Sequence, residues 1–207
     1  MPPTEITVPD RESTWRALRA AAAVCRECPL GERATQTVWG EGALAGTLML
    51  VGEQPGDRED IEGKPFVGPA GHLLGRAIDD LGWRRETLYV TNAVKHFKYE
   101  LRGKRRMHKT PGQLEMLACR HWLESEIDTL RPAAIVALGA IAARALLGRP
   151  VKVLSERGHW LARKDGVPVL ITVHPASLLR GDPATRAQAY RAWLDDLARA
   201  GDPPPRR

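Results

Sequence analysis

Residues 47–56, TLMLVGEQPG, decide how the chain is read. Thr47–Val51 is a short, uninterrupted apolar run bounded by turn residues, the pattern of a strand buried on both faces. It ends in Gly-Glu-Gln-Pro-Gly, which places polar groups at a strand's carboxyl end. The same alternation continues outward. Ala70, Leu73, Leu74, Ala77, Ile78 and Leu81 share one helical face, closed by Gly82. Leu88–Thr91 is a second strand, ending at Asn92. Thr110-Pro-Gly-Gln113 is expected to open a long helix, with Thr110 as cap, Pro111 at the first helical position and Gln113 completing a capping box. That helix carries Leu114, Leu117, Cys119, Trp122, Leu123 and Ile127 towards Leu130. Ala133–Leu138 is a third strand, followed by a short helix stopping at Gly148. Val151–Leu161 reads as strand and turn, and Asp165-Gly166 as a hairpin signal before the last strand, Val167–Val173. Asp182-Pro183 is expected to open the final helix. Four buried strands separated by helices predict an α/β fold: a three-layer α/β/α sandwich around a central, mostly parallel four-stranded sheet.

The length, 207 residues, suits a single domain, with 1–12 and 201–207 expected as frayed tails. At 43% hydrophobic and 27% charged residues, the composition excludes a disordered chain and a disulfide miniprotein. Pro132 to Ala143, the longest charge-free run near the middle, is too short for a membrane span, which needs about 18 apolar residues. The amino terminus, MPPTEITVPDRE, has no signal-peptide pattern, so a cytoplasmic protein with no membrane partner is expected. Nothing demands a partner chain, and a monomer is expected.

Charge is unevenly placed. Lys and Arg total 31 against 25 Asp and Glu. Residues 95–109, KHFKYELRGKRRMHK, hold seven basic residues and one acid, leaving 24 of each sign elsewhere. A neutral body with one basic segment points to a local polyanion site, nucleic acid above all. The alternative is a solvated loop without a partner.

Cys25, Cys28 and Cys119 are too few, and odd in number, for a disulfide framework. The CxxC spacing suits two thiolates on one metal. A redox CxxC normally opens a helix after a strand. This one closes a helical stretch in which Ser13 can cap and Trp15, Leu18, Ala22 and Cys25 recur at helical spacing. A fourth ligand is then expected, most simply a histidine.

In open sheets of this type, ligands bind beyond the carboxyl ends of the strands. Gly52–Gly56, Asn92 with the basic segment, and HPASLLR at 174–180 all fall there.

These segments resemble a family. GEQPG at 52–56, GKPFVGPAG at 63–71, TNAVK at 91–95 and HPASLLR at 174–180 are similar to the motifs of family-four uracil-DNA glycosylases, iron–sulfur members of the uracil-DNA glycosylase superfamily. The resemblance spans about Cys25 to Arg180. Two departures are similar to the UdgX subgroup: Gln54 stands where the family has alanine, and His96 where it has cysteine. In addition, 22 residues separate His96 from Cys119 and contain GKRRMH, 103–108. UdgX proteins remove uracil and become covalently attached to the DNA through that loop's histidine, here His108.

The resemblance implies a role for each matching residue. Phe66 would stack on the flipped uracil, although a core phenylalanine is the usual alternative. Asn92 would read the O4 and N3–H edge, and His174 would donate to O2 as the base departs. Gly52 and Asp57 would complete the substrate site. Glu53 would accept a proton from His108 or orient it, with Gln54 holding that geometry. His108 would attack C1′, kept neutral by the nearby Lys104, Arg105, Arg106 and Lys109. Arg106 would be the leading phosphate ligand, with Lys95, Lys104, Arg105 and Lys109 on the DNA backbone. Cys25, Cys28, His96 and Cys119 would hold a [4Fe–4S] cluster, for which a Cys3His zinc site is equally acceptable on spacing. His72, His121 and His159 match no motif.

The expected activity is excision of uracil from DNA, with single strands preferred, free uracil as product, and a covalent adduct through His108. A turnover glycosylase using water is the near alternative. A non-catalytic, metal-stapled DNA-binding module is the alternative of a different class.

Overall fold

The computed structural model describes residues 10–46 and 48–206; the expected strand's first residue, Thr47, and residues 1–9 and 207 of the expected tails lie outside them. In chain order the elements are α1 (Arg11–Ala23), α2 (Leu30–Arg33), β1 (Glu41–Gly42), β2 (Leu48–Gly52), α3 (Asp57–Glu62), α4 (Pro69–Asp80), β3 (Leu88–Asn92), β4 (Tyr99–Arg102), β5 (Arg105–His108) and α5 (Gln113–Leu130). They continue as β6 (Ala134–Leu138), α6 (Ala140–Leu147), α7 (Val153–Glu156), β7 (Trp160–Ala162), β8 (Pro168–Thr172), α8 (Pro175–Arg180) and α9 (Arg186–Ala198).

Every residue of β2, β3, β6 and β8 is buried, which is why these four read as continuous apolar runs. They pair in parallel in the order β3-β2-β6-β8. The expected four-stranded sheet is therefore the centre of a six-stranded one. β1 and β7 extend its edges antiparallel, and at two and three residues they are too short to leave a periodicity.

Alternation along each strand divides the core. Leu48, Leu50, Val90, Val136 and Leu170 face a layer holding Leu74, Ile78, Leu178, Trp193 and Leu197 of α4, α8 and α9. Met49, Val51, Ile135, Val169 and Ile171 face Leu123, Ile127 and Leu130 of α5 and Ala142, Ala143 and Leu146 of α6. A third, smaller cluster joins Ala22, Leu30, Trp39, Val94, Cys119 and Trp122. Among the described residues no helix is long and apolar enough to cross a membrane.

Several boundaries differ from expectation. α1 is capped by Asp10, not Ser13: its carboxylate accepts the Glu12 and Ser13 N–H groups at 2.8 and 3.0 Å. Residues 11 and 12 are thus helical rather than frayed. α5 starts at Gln113 instead of after Thr110. Gly112 is its cap, and Glu115 reaches back to the Gly112 N–H at 2.5 Å. Its buried face runs through Cys119, Trp122, Leu123, Ile127 and Leu130, so Leu114 and Leu117 stand 82% and 54% exposed. The 151–161 stretch contains the short helix α7 before β7. Asp182 accepts the Ala184 N–H in a turn, and α9 begins at Arg186. The expected carboxyl tail is partly packed: Pro203 borders a hollow with Trp83, and Pro204 and Pro205 border one with Trp160.

The basic segment is folded, not a loop. Tyr99–Arg102 and Arg105–His108 pair as an antiparallel hairpin whose turn contains Gly103, at φ +59°. That left-handed conformation favours glycine.

Leu50→Ala, in the centre of the sheet, is expected to destabilise the fold by about 2–5 kcal/mol in equilibrium denaturation. Leu114→Ala should change stability by no more than about 0.5 kcal/mol, because its side chain is already in water.

Candidate active site

Parallel strands share their carboxyl ends, so β2, β3 and β8 deliver Glu53, Asn92 and His174 to one edge of the sheet. A cavity of about 350 Å³ opens there. Glu53, Gln54, Asp57, Phe66, Asn92, His108 and His174 line it together with Glu59 and Arg180.

Close approach at its floor depends on glycine. A Cβ on Gly52 would lie 2.3 Å from Asn92 Oδ1 and 2.6 Å from Phe66 Cζ. Phe66 has φ +57°, a left-handed conformation rare for a side-chain-bearing residue. Glu59, buried, holds the two loops in place: its carboxylate accepts the Gly56 N–H at 3.1 Å and the Gly68 N–H at 2.8 Å.

His174 caps α8, its Nδ1 accepting the Ala176 N–H at 3.2 Å. The ring proton of the neutral form is therefore on Nε2, available as a donor. Burial, then the positive charge of Arg180, then His108 push its pKa down to about 4. His174 is thus neutral at neutral pH. Its ring lies near-parallel to that of Phe66, with centroids 6.1 Å apart.

His108 ends β5, opposite Tyr99. Its Nε2 is 3.7 Å from Glu53 Oε1, beyond hydrogen-bond length, and the ring is 48% exposed. Glu53 Oε1 is buried and has no hydrogen-bond partner among the described residues. Burial raises the Glu53 carboxyl above its usual range while Arg180 opposes the shift. Burial and then Arg180 lower His108. The charges expected to keep His108 neutral, Lys104, Arg105, Arg106 and Lys109, are not what does so. Arg180, to which the sequence reading assigned no role, is the cation that matters.

Gln54 pins the hairpin to this edge. Its Oε1 accepts the Lys98 N–H at 3.1 Å, and its Nε2 donates to the Lys98 and Lys109 carbonyls at 3.2 and 3.1 Å. An alanine could make none of these bonds.

The family model described as the uracil DNA glycosylase superfamily matches residues 39–198. The chain belongs to the uracil-DNA glycosylase superfamily. It is 36% identical over 194 residues to the type-4 uracil-DNA glycosylase of Thermotoga maritima, covering 92% of this chain and 94% of that one. It is 40% identical over 171 residues to the type-4 enzyme of Pyrobaculum aerophilum, covering 79% and 83%. A type-5 uracil-DNA glycosylase from the same organism is 29% identical over 174 residues, covering 72% of each chain.

Within this superfamily member, two expected DNA contacts have other partners. Lys95 is fully buried and cannot touch a phosphate. Its Nζ donates to Glu126 Oε2 at 2.5 Å, and to Thr91 Oγ1 and the Asn92 carbonyl at 2.7 Å each. Arg106 is only 19% exposed. It pairs with Asp57 and buried Asp60 at 2.6 Å each, and lies against the Phe97 and Tyr99 rings. It locks the hairpin onto α3 in place of offering a free guanidinium. Asp57 is held by the same pair. Lys104 and Arg105 border a hollow with Asp57, Arg106 and Met107. Lys109 pairs with Glu100 at 2.9 Å and is half exposed.

Cys25, Cys28 and Cys119 all belong to the third apolar cluster. Sulfur atoms there accept two N–H groups, Trp122 Nε1 to Cys25 at 3.4 Å and Lys95 N to Cys119 at 3.2 Å. Burial pushes the Cys119 thiol up to about 12, with Cys25 and Cys28 adding to the rise. A thiol at that depth ionises readily only against a metal's charge. His96 is buried, its Nε2 2.9 Å from Thr37 Oγ1, and burial followed by Arg26 lowers its pKa. The donor chemistry fits a soft metal centre. The spacing does not close: among the described residues no three His, Cys, Asp or Glu side chains converge within metal-binding reach.

Followed by the NMR shifts of its ring protons, His108 should titrate below the ordinary 6.5. Arg180→Met removes a cation that disfavours the imidazolium, so the His108 pKa should rise. An unchanged pKa in the variant would mean that Arg180 does not act on His108.

Proposed function

We propose that the protein excises uracil from DNA and then holds the resulting sugar as a covalent adduct through His108, as UdgX-type proteins do. The observation that carries this is the placing of His108 Nε2 at the cavity, 3.7 Å from the unpartnered Glu53 Oε1, on a hairpin that Gln54 ties to the strand edge. The type-4 glycosylases similar to this chain support the excision step.

The base enters the cavity only after leaving its stack, a cost smallest in single-stranded DNA. Phe66 stacks on it, and Gly52 and Asn92 form the edge that reads O4 and N3–H. As the C1′–N1 bond breaks, electrons pass to the base and negative charge gathers on O2. The neutral His174 donates to it from Nε2. The sugar becomes oxocarbenium-like, which the Glu53 carboxylate and the DNA's own phosphates stabilise. A nitrogen of neutral His108 then bonds to C1′, and the ring releases its proton to Glu53. Uracil departs. Lys104, Arg105 and Lys109 take backbone phosphates. Arg106 and Asp57 act by fixing the hairpin.

A turnover reaction with water remains the second reading, favoured by the half-exposed ring of His108, which leaves solvent a path to C1′.

Cys25, Cys28, His96 and Cys119 would hold the [4Fe–4S] cluster, with zinc as the alternative. Such a centre would supply a structural staple between α1, the segment after β3, and α5. About four irons with matching acid-labile sulfide in anaerobically purified protein would support the cluster. Stoichiometric zinc without sulfide would replace it.

The deciding experiment mixes the protein with an end-labelled single-stranded oligonucleotide containing one uracil. A denaturing gel then follows, with and without alkali. A slow band that survives heat and detergent is expected for the wild type. His108→Ala should lose that band while retaining alkali-sensitive abasic product. Alkali-sensitive cleavage without a slow band in the wild type would establish turnover and remove the adduct. No product at all would leave the DNA-binding module.

A further inference from the structure

Lys95 is a charged group deep in the protein that the proposed reaction does not use. Lys95, expected on the DNA, is wholly enclosed, as is its partner Glu126. An enclosed ion pair is a poor source of net stability, because desolvating both charges offsets most of their attraction. Its geometry says what else it does. The Lys95 Nζ does not end at Glu126; it also donates to the main-chain carbonyl of Asn92, the residue whose carboxamide lines the cavity. The third bond goes to Thr91 Oγ1, so the ammonium spans the last two residues of β3.

Glu126 is itself fixed. It accepts the Tyr89 hydroxyl at 2.8 Å, the Thr91 hydroxyl at 3.0 Å and the Gly40 N–H at 3.1 Å. The Lys95 backbone is also tethered: its carbonyl accepts the Val38 N–H at 2.8 Å and its N–H donates to Cys119 Sγ. Each end of the lysine is therefore anchored to a different element. The next two amides after Asn92 bond back to the neighbouring strand end, Ala93 N–H to the Gly52 carbonyl and Val94 N–H to the Glu53 carbonyl. The Asn92 carbonyl depends instead on a side chain, the Lys95 ammonium. Close packing at the floor leaves no slack, since Asn92 Oδ1 lies where a Cβ on Gly52 would clash.

We infer that Lys95 is a positioning residue for base recognition: Glu126 aims its ammonium at the Asn92 carbonyl, which holds the Asn92 carboxamide against the uracil edge. The inference rests on the uracil-excision reading above.

The test uses three variants of the full chain, read by thermal melting, DNA affinity, and the single-turnover rate of uracil release at saturating protein. Lys95→Met alone leaves Glu126 charged and unpaired, and should lower the melting temperature. Adding Glu126→Gln removes that charge while keeping an acceptor for Tyr89 and Gly40. Melting should then recover and DNA affinity stay near wild type, but the rate should fall about tenfold or more, because the carboxamide is no longer held. In an Asn92→Ala background, the same double substitution should change the remaining rate less than about twofold, since the group it acts through is gone. A purely structural role predicts otherwise: a wild-type rate once melting recovers, or equal rate losses in both backgrounds. Either overturns the inference. If the double variant does not fold, Lys95→Arg is read in the same cycle. It keeps the charge beside Glu126 but cannot set one nitrogen on Glu126, Thr91 and Asn92 together. A wild type that releases no uracil would sink the excision reading, and this inference with it.

Discussion

A lysine and a glutamate without solvent exposure, Lys95 and Glu126, fix how the sheet meets the segment that follows β3. Removing either alone would strand a charge in the core, at a cost of about 3–5 kcal/mol. Around them, hydrogen bonds come from Tyr89 and Thr91 on β3 and from Gly40 before β1, and the Trp39 ring centroid lies 5.3 Å from Lys95 Nζ. Trp15 of α1 joins through the Tyr89 hydroxyl at 2.9 Å. The pair thus ties the end of β3 to α5, beside the third apolar cluster that Cys119 belongs to.

α3 makes the second set of connections with three acids on one turn and a half. Asp57 and Asp60 hold Arg106 of the hairpin, and Glu59 clasps the loops on either side of Phe66. Asp60 also accepts the Thr35 N–H at 3.0 Å. One six-residue helix therefore relates the stacking ring to the hairpin that carries His108. Gln54 completes the arrangement from β2's end. The hairpin thus has an anchor on the strand edge that an alanine at this position could not supply.

The electrostatics of the cavity follow from depth more than from sequence charge. His174, His108 and Glu53 are all shifted towards their neutral forms by burial, with Arg180 adding to the shift for the histidines and opposing it for the glutamate. Two of the seven basic residues of the 95–109 segment, Lys95 and Arg106, are paired within the protein to Glu126, Asp57 and Asp60.

Four parallel strands, their order of appearance, and the strand-end positions of Glu53, Asn92 and His174 were all legible in the chain, because strands buried on both faces read as mainly apolar runs and polar groups follow where those runs stop. Gly52, Phe66 and His108 were legible through motif resemblance, and the structure brings them to the same cavity edge. What the sequence could not show is pairing at a distance. A basic residue is written alike whether it meets a phosphate or an aspartate 49 residues away, as Arg106 meets Asp57. The α5 periodicity likewise fitted more than one face, and packing chose the one that leaves Leu114 and Leu117 in water. Helix starts at Asp10 and Gly112 were settled by which acid reached the free N–H groups. Local chemistry determined which elements form; three-dimensional contact alone decided which charges stay in solvent and which are locked inside, because burial and ion pairing depend on neighbours remote in the chain.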